Sequence, residues 1–318
     1  MAKSSAAKRR PAPTKAPVKG KAPAKGGRPA GLFTWLAVGL VVIIVAALVV
    51  IKVANGGASK TPPASSFQPV SSSVLADLTT IPASVFNTVG VTSPIAGVTP
   101  PVAAKGQPVL YATNAEGQKV PEVLYMGAEY CPYCAAQRWT TIIALSRFGT
   151  WSGLGNMSSY SGDVYPNTPS FTFLKATYKS KYLVFKSVEE YTNYLDKAGT
   201  YYAKLQKPTA QELALIAKYD QPKFIPGLTA SQAESIPFID YGNQFLVAGA
   251  SYSPATLAGT SRNDIAGALS NASSPITDAI LTSANYQTAA ICSLTKGQPG
   301  SVCTSSGVAA AAKAMGIK

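Results

Sequence analysis

The chain has 318 residues, 47% of them hydrophobic, with 28 Lys and Arg against 14 Asp and Glu, four cysteines and no histidine. That length allows one good-sized domain plus attachments. The missing histidine removes the commonest general base and the commonest metal ligand, so chemistry built on either is excluded.

Charge is spread unevenly. Nine of the 28 Lys and Arg lie in residues 1–30, among Ala, Pro and Gly, and no acidic residue precedes Asp77. Such a tract cannot bury a core, and residues 1–30 are expected to form a disordered cytoplasmic tail. No aromatic residue interleaves with its charges, so the stacking half of a nucleic-acid surface is missing. The tail reads instead as a topology determinant that rests on acidic headgroups.

Leu32 to Ile51 then runs for 20 residues without a charge. At about 1.5 Å rise per residue this crosses a hydrocarbon core of roughly 30 Å. Residues 31–52 are therefore expected to be a transmembrane signal anchor in the cell membrane, with the basic side cytoplasmic and everything after Lys52 outside. A cleavable signal peptide ending in the small residues Ala54 to Ala58 is the rival. Its apolar and basic regions would both be shorter than these.

Residues 53–107 read as a Ser/Pro/Gly-rich stalk and linker. Within it, Val74 to Val89 has the spacing of one short helix, or of two broken at Pro82. The outer domain, residues 108–318, is expected to open with a hairpin, Val109 to Thr113 and Lys119 to Met126, turning at Asn114-Ala115-Glu116-Gly117. Next comes Glu129-Tyr130-Cys131-Pro132-Tyr133-Cys134, followed by apolar residues at helical spacing (Trp139, Ile142, Ile143, Leu145) up to Phe148. An irregular Gly/Ser/Tyr segment leads to strands at Ser170 to Tyr178 and Lys181 to Phe185. Helices are expected at Val188 to Lys204 and Thr209 to Tyr219, the second with a capping box formed by Thr209 and Glu212. Ser235 to Gly249 reads as two short strands turning at Tyr241-Gly242-Asn243 and opening at Pro237. Helices at Arg262 to Ser270 and Ile276 to Leu294 complete an α/β order: a mixed sheet with helices on both faces. Residues 149–235 are expected to be a helical insertion over the cysteine face.

Cys131 falls where a strand meets a helix N-terminus. Unpartnered N–H groups and the positive end of the macrodipole favour a thiolate there, and Pro132 suits the first helical position. A lone C-x-x-C also serves as half a zinc site or as a structural bridge. With the late Ile236-Pro237-Phe238-Ile239-Asp240 segment, the pattern resembles the thioredoxin superfamily, in which a cis-proline faces the C-x-x-C. Gly127 to Trp139, that segment and the C-terminal cysteine pair are together similar to a membrane-anchored family known as domain of unknown function 929. The resemblance spans roughly residues 106–318. It implies that Pro237 is the cis-proline, that the Ile236 backbone pairs with an extended substrate, and that proline packing on the sulfurs keeps metal out.

The reaction this implies is thiol–disulfide exchange with secreted or envelope proteins, Cys131 as nucleophile and Cys134 as resolving thiol, with no cofactor and an unidentified membrane redox partner. Tyr133 stands where strong oxidases carry histidine, so a less oxidising potential is expected unless the helix and Arg138 compensate. Glu129 and Tyr130 read as an exposed loop carboxylate and a packing ring, with proton transfer to Cys134 as the alternative. Cys292 and Cys303 are expected to form a structural disulfide in the oxidising outer compartment. A relay with Cys131/Cys134 and a four-cysteine zinc site are the alternatives. A second overall reading is a binding or scaffold domain in which Cys131/Cys134 is a structural bridge; a catalytic pair would be exposed, with a depressed nucleophile pKa.

Overall fold

The computed structural model describes residues 67–91 and 97–317. The basic tail, the apolar stretch Leu32 to Ile51 and the first part of the stalk lie outside the described residues. Among the described residues no helix is long and apolar enough to cross a membrane.

Two short helices come first, α1 (Ser72–Thr79) and α2 (Ala83–Val89). The Ser71 hydroxyl accepts the Val74 N–H to cap α1, and Pro82 separates the pair as the sequence suggests. Strands β1 (Val102–Ala103), β2 (Tyr111–Thr113) and β3 (Lys119–Gly127) follow, then helix α3 (Pro132–Ser146). Four short strands come next: β4 (Thr150–Ser152), β5 (Gly155–Ser158), β6 (Pro169–Thr172) and β7 (Thr177–Lys179). Beyond them lie β8 (Val184–Glu189), β9 (Tyr191–Leu195), β10 (Tyr202–Lys204) and α4 (Ala210–Tyr219). The chain closes with β11 (Phe238–Tyr241), β12 (Phe245–Ala248), α5 (Arg262–Ala268), α6 (Pro275–Leu294), α7 (Gly300–Cys303) and α8 (Ser306–Ala314).

The main sheet runs β1-β12-β11-β3-β2, with β8 also on β3. It is mixed: β8 lies parallel to β3 and the other pairings are antiparallel. As the central strand, β3 is buried from Val120 through Gly127, which is why its sequence is a nearly unbroken apolar run. Period-2 alternation divides its side chains between two cores. Val123 and Tyr125 face one shared by α3, α6, α1, α2 and α8, while Leu124 and Met126 face a smaller one closed by Ile216 and Tyr219 of α4. The β11–β12 hairpin turns on Gly242 (φ 61°) and Asn243 (φ 60°), both left-handed, with the Gln244 N–H donating to the Tyr241 carbonyl at 3.0 Å. The capping box of α4 forms as the sequence suggests, with Glu212 accepting the Thr209 N–H and Thr209 accepting the Glu212 N–H.

Two expectations are corrected. Val188 to Lys204 is not helical: it holds the end of β8 and a β9–β10 hairpin turning near Gly199 (φ 69°). Its Tyr and Thr residues favour extended backbone, and the rings of Tyr191, Tyr201 and Tyr202 pack on one another. Residues 149–235 are therefore not a helical insertion but seven strands and the helix α4 (with a 3₁₀ turn at Ala230–Gln232), and one of those strands, β8, is built into the main sheet. The sequence leaves open whether the helices and linker after residue 73 pack onto the domain, and they do. Val74, Leu78, Phe86 and Val89 are buried in the main core, and Val102–Ala103 adds an edge strand to the sheet.

Candidate functional site

Cys131 is the N-cap of α3, in extended backbone with Pro132 at the first helical position. Its sulfur accepts the Cys134 N–H at 3.2 Å, one of the unpartnered donors at a helix start. Across the sheet end, the Ile236–Pro237 peptide is cis, and the Ile236 carbonyl oxygen lies 4.0 Å from Cys131 Sγ. The structure thus brings together Cys131, Cys134, Ile236 and Pro237, four residues singled out in the sequence. The backbone ladder of β11 begins only at Phe238, so Ile236 has no strand partner among the described residues.

Both thiols are free. Burial pushes the Cys131 thiol up, but donation from the Cys134 thiol, the N–H groups of Cys134 and Tyr133 and the Arg138 charge overcome it and leave Cys131 below the ordinary thiol value. Cys134 moves the other way, held well above that value by burial and by donating its proton to the Cys131 sulfur. The two sulfurs are therefore polarised in opposite directions, Cys131 the more acidic and Cys134 the less. Cys131 is only 5% exposed, contrary to the open nucleophile that the sequence reading requires. Tyrosines crowd the region: Tyr130 stacks on Tyr202 at 3.8 Å between ring centroids, Tyr160 meets Tyr202 edge-on, and Tyr133 meets Tyr165. Tyr130 is thus a packing ring, as expected.

Arg138, one helical turn beyond Cys134, is fully buried and makes a two-pronged pair with Glu189 at the end of β8, Nε donating to Oε1 at 2.8 Å and Nη2 to Oε2 at 2.6 Å. Nη2 also donates to the Ala128 carbonyl at 2.8 Å. Glu129 is not the exposed loop carboxylate expected but is 5% exposed. Burial raises its pKa to about 7, helped by Glu189 and opposed by a Thr172 hydrogen bond and Arg138. Sequence reasoning missed this cluster because Glu189 lies 51 positions from Arg138. A lone arginine on the apolar face of a helix was the available signal, since such a charge requires a buried partner. Tyr125 is a second omission: fully buried on β3, its hydroxyl has no hydrogen-bond partner among the described residues.

Cys292 and Cys303 are joined by a disulfide between α6 and α7. That bond takes two of the four sulfurs a four-cysteine zinc site would need. Among the described residues no group of three or more His, Cys, Asp or Glu is placed to hold a metal ion.

With this geometry in hand, comparison with known proteins adds a family. The model of the family described as domain of unknown function (DUF929) matches residues 109–293, and the chain belongs to that family. No curated protein and no solved structure matches.

Proposed function

We propose that this DUF929 member is a membrane-tethered, extracytoplasmic thiol–disulfide oxidoreductase with a thioredoxin-like domain, acting on disulfides of secreted or envelope proteins. The observation that carries this reading is the polarised pair: a Cys131 sulfur at a helix start receiving the Cys134 N–H, next to a strand whose Ile236 backbone lacks a strand partner among the described residues. In the reductive direction the Cys131 thiolate attacks one sulfur of a substrate disulfide. An S–S bond forms between Cys131 and the substrate, and the other substrate sulfur leaves as thiolate. Cys134 then loses its proton and attacks Cys131, releasing the second substrate thiol and leaving a Cys131–Cys134 disulfide, two electrons having passed to the substrate. The oxidative direction is the reverse. An extended substrate segment pairs with Ile236, which supplies the backbone groups that an added strand needs.

The burial of Cys131 favours the second reading, a binding domain whose Cys131/Cys134 bridge is a staple. One experiment on the full-length chain separates the two. A reduction potential between about −270 and −120 mV, with mixed disulfides trapped on Cys131 in a Cys134→Ser variant, supports the oxidoreductase. A potential below about −300 mV with no trapped partner overturns it in favour of the staple.

A further inference from the structure

Helices α1, α2, α3 and α7 surround a cavity of about 290 Å³ whose lining includes no residue of the thiol site. Its wall is mixed: Leu78, Ile81, Phe86, Ile143 and Val302 form an apolar side, Thr79, Ser146 and Ser301 add hydroxyls, and Arg147 is the one charged side chain. Arg147 caps the C-terminus of α3 and lies with Cζ 4.2 Å from the Phe86 ring centre. Nη1 donates to Asn285 Oδ1 at 3.2 Å and Thr288 Oγ1 at 3.3 Å, and Nη2 donates to Ser305 Oγ at 3.3 Å. Every one of those acceptors is neutral.

A guanidinium carries five N–H donors. Among the described residues, Nε–H and one Nη2–H of Arg147 have no acceptor, and Nε is not among the sealed, unpartnered polar atoms of the core. Nε and Nη2 are the pair of nitrogens that Arg138 turns to the two oxygens of Glu189. No carboxylate among the described residues pairs with Arg147. Burial alone draws its pKa down to about 10. A cation that is partly desolvated, tied only to neutral oxygens and left with donors to spare calls for an anion.

We propose that this cavity binds an amphiphilic monocarboxylate, its carboxylate gripped by Nε and Nη2 of Arg147 and its short aliphatic tail lying against Leu78, Phe86 and Ile143. One cation, with no second charge in the lining, matches a monoanion better than a phosphate dianion. The cavity is near the lower end of ligand-pocket sizes, which sets the tail short. This inference does not depend on the thiol chemistry.

The test is equilibrium dialysis of radiolabelled octanoate against the full-length chain in nanodiscs of zwitterionic lipid, with matched protein-free nanodiscs as blank. Saturable single-site binding is expected, with octan-1-ol, acetate and octyl phosphate each competing at least about tenfold more weakly, because each lacks the matched anion or the tail. Arg147→Gln should weaken octanoate at least about tenfold. Ala83→Trp alters an exposed position on the cavity rim, leaves Arg147 and its hydrogen bonds in place, and should abolish binding. It decides the matter if circular dichroism shows that Arg147→Gln fails to fold. Absence of saturable binding, equal competition by octan-1-ol, tighter binding of octyl phosphate, or full binding by Ala83→Trp overturns the proposal.

Discussion

Replacing Arg138 with Met asks what the buried ion pair does. The substitution removes three hydrogen bonds, two to Glu189 and one to the Ala128 carbonyl. It leaves a fully buried carboxylate whose remaining donor among the described residues is the Phe173 N–H at 3.4 Å. Breaking one side of a buried pair costs about 3–5 kcal/mol, mostly the penalty of the stranded charge. At about 2–4 °C per kcal/mol for a domain of this size, the melting temperature should fall by roughly 6–20 °C. Removing both charges, in Arg138→Met with Glu189→Met, should restore most of the loss, giving a coupling of at least about 2 kcal/mol in the double-mutant cycle. Urea unfolding followed by fluorescence of the buried Trp139 gives the stabilities. Thiolate absorbance against pH gives the Cys131 titration, which should move upward once the Arg138 charge is gone. A single substitution costing under about 1 kcal/mol, or a double variant no more stable than the single, would refute the reasoning.

Three other expectations follow from the same residues. Glu129 titrates near 7 when folded, above its unfolded value of about 4.3, so the stability lent by its protonated form is complete below about pH 4.3 and is lost as pH rises through 7. Glu129→Gln should therefore gain up to about 3 kcal/mol over the wild type at pH 8.5 and nothing at pH 4; identical paired urea curves at both values would count against it. Under limited iodoacetamide, peptide mass spectrometry should find Cys131 labelled first, with a rate midpoint below the roughly 8.5 of a free thiol, and Cys134 untouched until the chain unfolds. Leu78→Ala should cost about 2–5 kcal/mol in chemical unfolding because α1 belongs to the core, whereas a helix lying free of the domain would give less than about 0.5.

Much of the frame was legible in the sequence because its cues are local. The Val123 to Met126 run, the Cys131 cap with Pro132, the Thr209/Glu212 capping box and the Gly242-Asn243 turn each depend on residues within a few positions of one another. The hairpin from Tyr111 and the long helix ending at Leu294 follow the same logic. What was hidden is what forms across long separations. Arg138 and Glu189 meet only because β8 lies parallel to β3, and Glu129 is buried only because the chain after α3 folds back beside it. The aromatic segment around Tyr191 and Tyr202 fits helical spacing on paper, and ring packing with Tyr130 decides for strands. Likewise the helices before residue 108 look like linker decoration until Asn285 of α6 is seen donating to the carbonyls of Phe86 and Gly90.

The β3–β8 ladder also bears on how this architecture can be trimmed or diversified. A true insertion can be excised and its ends rejoined, but cutting out residues 149–235 here would remove six register pairs from the central strand and the carboxylate that neutralises Arg138. The tolerant places are the two excursions on either side of β8: the β5–β6 turn bearing Tyr160 and Tyr165, and the β9–β10 hairpin bearing Tyr201. Length and side-chain identity can change there without disturbing the sheet. The aromatic surround of Cys131 can therefore be exchanged while the β3–β8 ladder stays intact.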